Sequence, residues 1–496
     1  MPNFLDSFPE AFVSNTESSA WINQAVKNGK LRKLGSRLYT KDLTSSPESI
    51  VKKNWYFLLK DYYPDALIAD RTAIENKPAS DGSVFIVSAK KRDTILPGIT
   101  FKPRQGVGAL DTDKPFLGGI SLSSTARAYL ENMRISRSRN GSITRTLSKT
   151  EMEERLERML RQGGEESLNT IRDEARKLAS VLDAENEFKA LDELIGSLLG
   201  TRDAHLQSDV GKSRKSGQPY DPERLDKFIT LFEALKTAAP IHRTEKEQSQ
   251  AAKNNLSFFE AYFSNFIEGT EFEIDEAVDI IFNGRIPNER PEDAHDILGT
   301  YRLVSNYTEM SILPETTEEF VQILRRRHAT FMELRPDKNP GLFKTKNNQA
   351  GTSLFVLPDL VEGTLEKGFE IYKSLEIPLH RSIFMMFLVS EVHPFTDGNG
   401  RAARIMMNAE LVAANEEKII IPTIYRSNYL SSLKALTHNS RPTPLIRTLD
   451  FAQKYTRSID WTNFEDAKQQ LSATNAFMDA GEADEEGIRL KLYQEN

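Results

Sequence analysis

His393–Arg404 reads HPFTDGNGRAAR, setting an imidazole, a carboxylate, two glycines around an asparagine and two arginines side by side. Before it, LHRSIFMMFLVSEV (Leu379–Val392) is apolar on nearly every side, the pattern of a helix in the middle of a bundle. Pro394 disfavours the α region at His393, so this helix is expected to stop there and turn its imidazole outward. Phe395 reads as an apolar plug holding the loop on the core. After it, NGRAARIMMNAELVAAN opens a second helix, with Ile405, Met406, Ala409 and Leu411 as its buried stripe. A mainly α fold follows, with the charged loop slung between two core helices.

Backbone N–H groups at a helix start lack partners and carry about half a positive charge, and glycines let a ligand approach them closely. Gly398, Asn399 and Gly400 therefore form a candidate anion cradle. Arg401 and Arg404 lie one turn apart on the same face, where further phosphates would sit. Two cations in a first turn oppose the helix dipole, so an anion is expected there to compensate. Asp397, just before the cradle, is placed to hold a magnesium ion bridging phosphates. His393, with an ordinary pKa of ~6.5, can take the proton of a hydroxyl attacking phosphorus. The set describes phosphoryl or nucleotidyl transfer to an alcohol. It is not a P-loop, since no lysine follows the glycines. A lone GNG is usually a turn and a lone His before Pro usually structural; the ordered company of Asp and two Arg decides for function.

This string fits the signature of the Fic family, His-Pro-Phe-x-Asp/Glu-Gly-Asn-Gly-Arg-x-x-Arg, which the chain resembles without exception over these residues. The resemblance implies a protein adenylyltransferase that moves AMP from ATP to a Ser, Thr or Tyr hydroxyl of a target protein and releases pyrophosphate. It implies His393 as general base, Asp397 as magnesium ligand, Gly398, Asn399 and Gly400 as the phosphate-binding anion hole, and Arg401 and Arg404 on the outer phosphates. It also implies a helical bundle with a β-hairpin flap that aligns the target. PGLFKTKNNQAGTSLFVLPDL supplies that hairpin, with short extended runs at Leu342 to Val356 around Asn347-Asn348 and Gly351. Its GLFK stands where glycine, then Phe or Tyr, then Arg is common in the family, which leaves target preference open.

A second stretch, FFEAYFSNFIEGTEF (258–272), ends a helix at Gly269, an αL cap, and leaves Glu268 in the last turn. There a negative charge meets the negative dipole end and costs ~0.3–1 kcal/mol unless a cation answers it. Ser264 lies one turn earlier on the same face. Ser264-x-x-x-Glu268-Gly269 resembles the inhibitory motif of regulated Fic proteins with an N-terminal inhibitory helix. By that resemblance Glu268 pairs with Arg404 and blocks the productive seat of the ATP γ-phosphate.

Outward from these motifs, 496 residues call for several domains. The expected division is a small α+β region at 1–135, a helical connecting region at 136–250, the Fic domain with its inhibitory helix at 251–456, and an acidic tail at 457–496 that frays. In the first region a short helix at Trp21–Val26 leads into a basic hairpin-like segment at Lys30–Thr40. That arrangement looks like the wing and last helix of a winged helix. With the β-rich stretch that follows, it loosely resembles the AbiEi-type antitoxin and regulator family over roughly Trp21 to Leu182. The resemblance implies Lys30, Arg32, Lys33 and Arg37 as contacts to DNA phosphates; a solvated basic edge strand fits the same residues. The absence of cysteine excludes disulfides, thiolate catalysis and zinc ribbons. A net charge of -7 gives no global field for nucleic acid. No run approaches a membrane span, and MPNFLDSFPEAF lacks the features of a secretory signal, so a cytoplasmic location is the expectation. Competing with AMP transfer are a DNA-binding regulator of a toxin–antitoxin-like system that uses the Fic core as a nucleotide sensor, and removal of AMP or transfer of a nucleotide other than AMP at the same site. Homo-oligomer formation stays open.

Overall fold

The computed structural model describes residues 8–138, 141–203, 205–246, 249–350 and 353–494. Two compact units divide the chain, Met1–Ser216 and Gly217–Asn496.

In the first unit, β1 (Ala11–Val13), α1 (Ser19–Lys27), β2 (Arg32–Gly35) and β3 (Leu38–Thr40) form a helix and a three-stranded antiparallel sheet of order β1-β3-β2. The basic segment is thus the β2–β3 hairpin, with a register shift between Lys33 and Gly35. Helix α2 (Pro47–Tyr62) begins on a Ser46 cap. It is followed by β4 (Leu67–Ile68), α3 (Asp70–Glu75), β5 (Ser83–Val87), β6 (Thr94–Leu96), β7 (Ile99–Arg104), β8 (Lys114–Pro115), β9 (Ser121–Leu122) and α4 (Thr125–Asn132). Strands β4 to β9 make a six-stranded mixed sheet. Leu58, Ile68, Val84, Ile86 and Phe101 fill the core under it. Helices α5 (Lys149–Ala179) and α6 (Glu185–Leu198) build a separate apolar cluster on Leu156, Leu168, Ile171, Leu191 and Ile195, and α7 (Asp209–Lys215) follows them.

The second unit is a helical bundle. Its elements are α8 (Pro222–Thr237), α9 (Gln250–Ile267), α10 (Ile274–Asn283), α11 (Pro291–Val304), α12 (Tyr307–Met310), α13 (Thr317–Phe331), β10 (Gln349–Ala350), β11 (Ser353–Leu354), α14 (Val361–Tyr372), α15 (Pro378–Val392), α16 (Asn399–Ala413), α17 (Arg426–Asn439), α18 (Thr443–Ser458), α19 (Phe464–Ala473) and α20 (Ala480–Glu486). Helix α15 is the axis: Ile383 through Val389 are all 0% exposed. Such a run can only be buried on every side, so other helices surround it. A six-residue loop joins it to α16, and the two pack along each other.

Three expectations about boundaries change. The expected division puts α8 in the connecting region, yet Phe228, Leu231 and Leu235 lie in the bundle core, with Phe228 6.1 and 6.0 Å from the rings of Phe384 and Phe387. Burial of that apolar stripe outweighs the polar break that precedes it. The tail does not fray as a whole: α19 and α20 begin on Asn463 and Asp479 caps, and Ala467, Leu471, Ala483 and Leu490 pack into the same core. The flap is shorter than Leu342 to Val356. Its ladder is Gln349↔Leu354 and Ala350↔Ser353, and Phe343 bridges instead to Phe395. Gly351, expected near the turn, falls outside the described residues. Among the described residues no helix is long and apolar enough to cross a membrane.

Candidate active site

The loop between α15 and α16 is built from special backbone states. His393 caps α15 with φ 54° and ψ 59°, an αL conformation that costs a residue with a Cβ about 1–2 kcal/mol. Pro394 makes continuation of the helix unfavourable, and this cap turns the chain away from the bundle axis. Gly398 has φ 72°, and a Cβ there would press on the ring of Phe331 and the sulfur of Met332 at 3.1 Å, so glycine is required twice over. The side chain of Asn399 is spent on the loop itself. Its Oδ1 accepts from the Phe395 N–H and its Nδ2 donates to the Phe395 carbonyl, both at 2.8 Å. Asn399 therefore shapes the cradle with its side chain and contributes to it only through its backbone. Ala402 is the first N–H to bond back, to the Gly398 carbonyl at 2.9 Å. The N–H groups before it are those a helix leaves without an intrahelical acceptor.

Phe395 is fully buried, as expected of a plug, and lies flat on His328 with centroids 3.6 Å apart. His328, on α13, was not singled out from the sequence. Its Nδ1 accepts from the Gly341 N–H at 2.9 Å, which makes Nε2 the protonated nitrogen, donating to the Asp397 carbonyl at 3.0 Å. One imidazole thus ties the base of the flap to the loop between α15 and α16. Burial pulls its pKa down to about 4, so it stays neutral and keeps this tautomer. Asp397 is half-buried; its Oδ1 accepts from the Gly398 N–H at 2.6 Å.

His393 is not turned freely outward. Its ring stacks on Phe355, just past the flap, with centroids 3.7 Å apart. Desolvation first, and the Lys344 charge second, lower its pKa to about 4, while a hydrogen bond to the Ser390 carbonyl opposes them. The expected value near 6.5 does not hold in this state. The ring is neutral at cellular pH; one nitrogen donates to the Ser390 carbonyl and the other keeps its lone pair, the form a general base needs. Lys344 of the GLFK stretch is 3% exposed, donates to Asn348 Oδ1 at 2.7 Å, and is lowered to about 7 by burial and by Arg224.

Both arginines of α16 are buried and matched to acids from different helices. Arg404 donates through Nε to Ser264 Oγ (2.9 Å) and through Nη2 to the Ser264 carbonyl (2.8 Å) and Glu268 Oε1 (2.6 Å). Burial works against its charge, but Glu268 and Tyr429 more than compensate and raise its pKa. Arg426 donates to the Ile267 carbonyl at 3.0 Å and so ties down the end of α9 that carries Glu268. Gly269 has φ 94°, which sets the turn after it. A Cβ placed on Gly400 would run into the Glu268 carboxylate, so that carboxylate lies directly against the first turn of α16. The anion predicted for the cradle is, in this state, the protein's own. Arg401, also expected on outer phosphates, instead pairs with Asp296 of α11 at 2.8 Å.

The four cations proposed for DNA are not equivalent. Arg32 donates to the Ser45 carbonyl and Arg37 to the Ser14 carbonyl, while Lys30 and Lys33 are exposed on the hairpin. Two guanidiniums are thus engaged in holding the small sheet.

Residues 317–411 match the family model described as Fic/DOC family. A protein adenylyltransferase Fic from Drosophila persimilis is 25% identical over 260 residues, covering 51% of this chain and 50% of that protein. The chain therefore spans about half the length of the curated relatives it matches. Among solved structures, a Fic domain containing signaling protein from Bacteroides thetaiotaomicron aligns with TM-score 0.37 and 17% identity, over 49% of this chain and 97% of that one. A fragment of Fic-1 from C. elegans aligns with TM-score 0.36 and 16% identity, over 68% of this chain and 97% of that one.

Proposed function

We propose that this chain, which carries a Fic domain, is a self-inhibited protein adenylyltransferase that moves AMP from ATP to a hydroxyl of a target protein. The observation that carries the reading is the Glu268 carboxylate seated against Gly400 and bonded to Arg404, where the cradle calls for phosphate. A carboxylate on a helix N-terminus is the simplest protein mimic of a phosphate oxygen. Its presence supports reading the cradle as an anion site and, on this reading, accounts for an enzyme that rests inactive.

In the reaction His393 accepts the proton of the target hydroxyl through its free ring nitrogen. The hydroxyl oxygen forms a bond to the α-phosphorus, the bond between the α-phosphorus and its bridging oxygen breaks, and pyrophosphate leaves with the displaced electron pair. The α16 amides and the two arginines stabilise the charge that develops on the phosphate oxygens. Phosphates near His393 raise its basicity from the low value of the resting state, so the base strengthens when substrate is present. The half-buried Asp397 fits a magnesium ion, since Mg²⁺ is usually held by one or two carboxylates plus substrate phosphates. That ion would neutralise phosphate charge. Phe355, just past the short flap, stacks on His393, which supports the reading that an extended target segment pairs through its backbone with the flap beside the base.

The test is mass spectrometry of the purified full chain and its Glu268→Gly variant after incubation with ATP and lysate proteins. AMP adducts that appear with the variant and vanish on His393→Ala establish the activity. No adduct with Glu268→Gly, or an adduct of another nucleotide when GTP and UTP are compared, rejects it.

A further inference from the structure

Asp296 belongs to none of the motifs above, yet it sits among the charges of the site. Its Oδ2 receives Arg401 Nη1 at 2.8 Å and Arg335 Nη1 at 3.1 Å. The three side chains are 7%, 4% and 10% exposed. Arg401 is held on two further sides, by Asn265 Oδ1 at 3.4 Å and by the Phe331 ring 5.5 Å beneath the guanidinium. Its Nε is buried with no hydrogen-bond partner among the described residues. A buried donor left without an acceptor is costly, and this one belongs to the first turn of α16, where the proposed triphosphate would supply one.

We infer that Asp296 is a positioning residue for the nucleotide site, clamping the Arg401 guanidinium beside the cradle whether the Glu268 lock is closed or open. The inference rests on the adenylyltransferase reading. The two acids differ in the property that separates a clamp from a lock. Glu268 is 36% exposed and ends a helix, so it can leave Arg404 for water. Asp296 is buried and shared between two arginines in the interior. Withdrawing it would leave the buried Arg401 guanidinium without a carboxylate partner among the described residues, whereas Arg335 would keep Glu292 at 3.1 Å and Asp337 at 3.7 Å. Arg401 therefore meets phosphate with its remaining donors while Asp296 stays in place. Pre-orientation of this kind raises nucleotide affinity without taking part in proton transfer.

The experiment uses the full chain in the Glu268→Gly background, with ATP binding read by calorimetry and AMP transfer read separately. Asp296→Asn is expected to weaken ATP binding about tenfold while kcat at saturating ATP stays within about threefold. Arg401→Ala should weaken binding by the same factor and also slow transfer, because that guanidinium stabilises charge on the phosphates, and combining the two should weaken binding no further than either alone, because both remove one device. Unchanged or tighter ATP binding in Asp296→Asn would overturn the inference, the tighter result marking Asp296 as a second lock. Additive losses would overturn it too. Should Asp296→Asn not fold, Arg335→Gln disturbs the same cluster but leaves Asp296 on Arg401: unchanged ATP affinity supports the clamp and a tenfold loss refutes it. If the Glu268→Gly parent itself binds no ATP, the functional reading fails before Asp296 is tested.

Discussion

Replacing Glu268 by glycine removes one carboxylate from the face of Gly400 and one charge-assisted hydrogen bond, 2.6 Å long, from Arg404. A hydrogen bond to a buried charged group contributes about 1.5–3 kcal/mol. With the Glu268 side chain 36% exposed, water screens part of it, so the lower end, ~1.5–2 kcal/mol, applies. A closed state favoured by that amount holds roughly 10–30 molecules shut for each one open, at about 1.4 kcal/mol per factor of ten. The variant should therefore raise kcat/KM for ATP by roughly 10–30-fold, followed as transfer of label from α-labelled ATP to protein. Thermal stability should fall little. Glycine deletes the pair but also deletes a negative charge at the negative end of α9, which costs about 0.3–1 kcal/mol in the parent. Ser264→Ala is the informative companion. It takes one bond from Arg404 Nε but leaves the carboxylate on the cradle, so its gain should be under about threefold. Equal kcat/KM for Glu268→Gly and the parent would refute the lock. A gain in Ser264→Ala as large as that in Glu268→Gly would show that the position of Arg404, and not occupation of the cradle, keeps the enzyme quiet.

In the Glu268→Gly background, His393→Ala should bind ATP within about threefold of its parent and lose transfer by at least ~100-fold, the contribution of a general base; calorimetry and label transfer give the two halves separately. Asp397→Ala should lower transfer at fixed ATP and flatten its dependence on added magnesium in a metal titration. His328 yields a pH prediction for stability. Its folded pKa, about 4, lies below the unfolded value of ~6.5, so its contribution is complete above ~6.5 and is lost as pH falls towards 4. Between pH 7 and pH 5 that amounts to about 2 kcal/mol, measurable by urea unfolding, and His328→Asn should lack this part of the slope.

Much of the second unit was legible because its decisive residues are contiguous. An all-apolar α15, a Pro after His393 and a glycine pair opening α16 each act on their own neighbours, so a twelve-residue window contains the loop, the cradle and the base. The α8 stripe and the tail were read too locally. Phe228 and Leu490 pack against helices far along the chain, and no pattern within their own segments names that partner. The depressed pKa of His393 was out of reach for the same reason. Its causes are burial and Lys344, and Phe355 stacks on its ring, both residues more than thirty positions upstream.

The pairing of the lock shows where local chemistry ends. A glutamate in the last turn of α9 needs a cation, and two cations in the first turn of α16 need anions, so sequence alone allows Glu268 to meet either Arg401 or Arg404. The family resemblance points to Arg404, and the fold supplies the physical reason. Asp296 already holds Arg401 from the interior side. Arg404 is left facing α9, where Ser264 and Glu268 stand one turn apart and can both reach it. On the proposed reading the inhibitory acid can therefore be a single exposed residue at a helix end. The arginine it must release is the one that no other acid among the described residues is bonded to, so opening requires only the loss of Glu268 and not the rebuilding of a buried charge cluster.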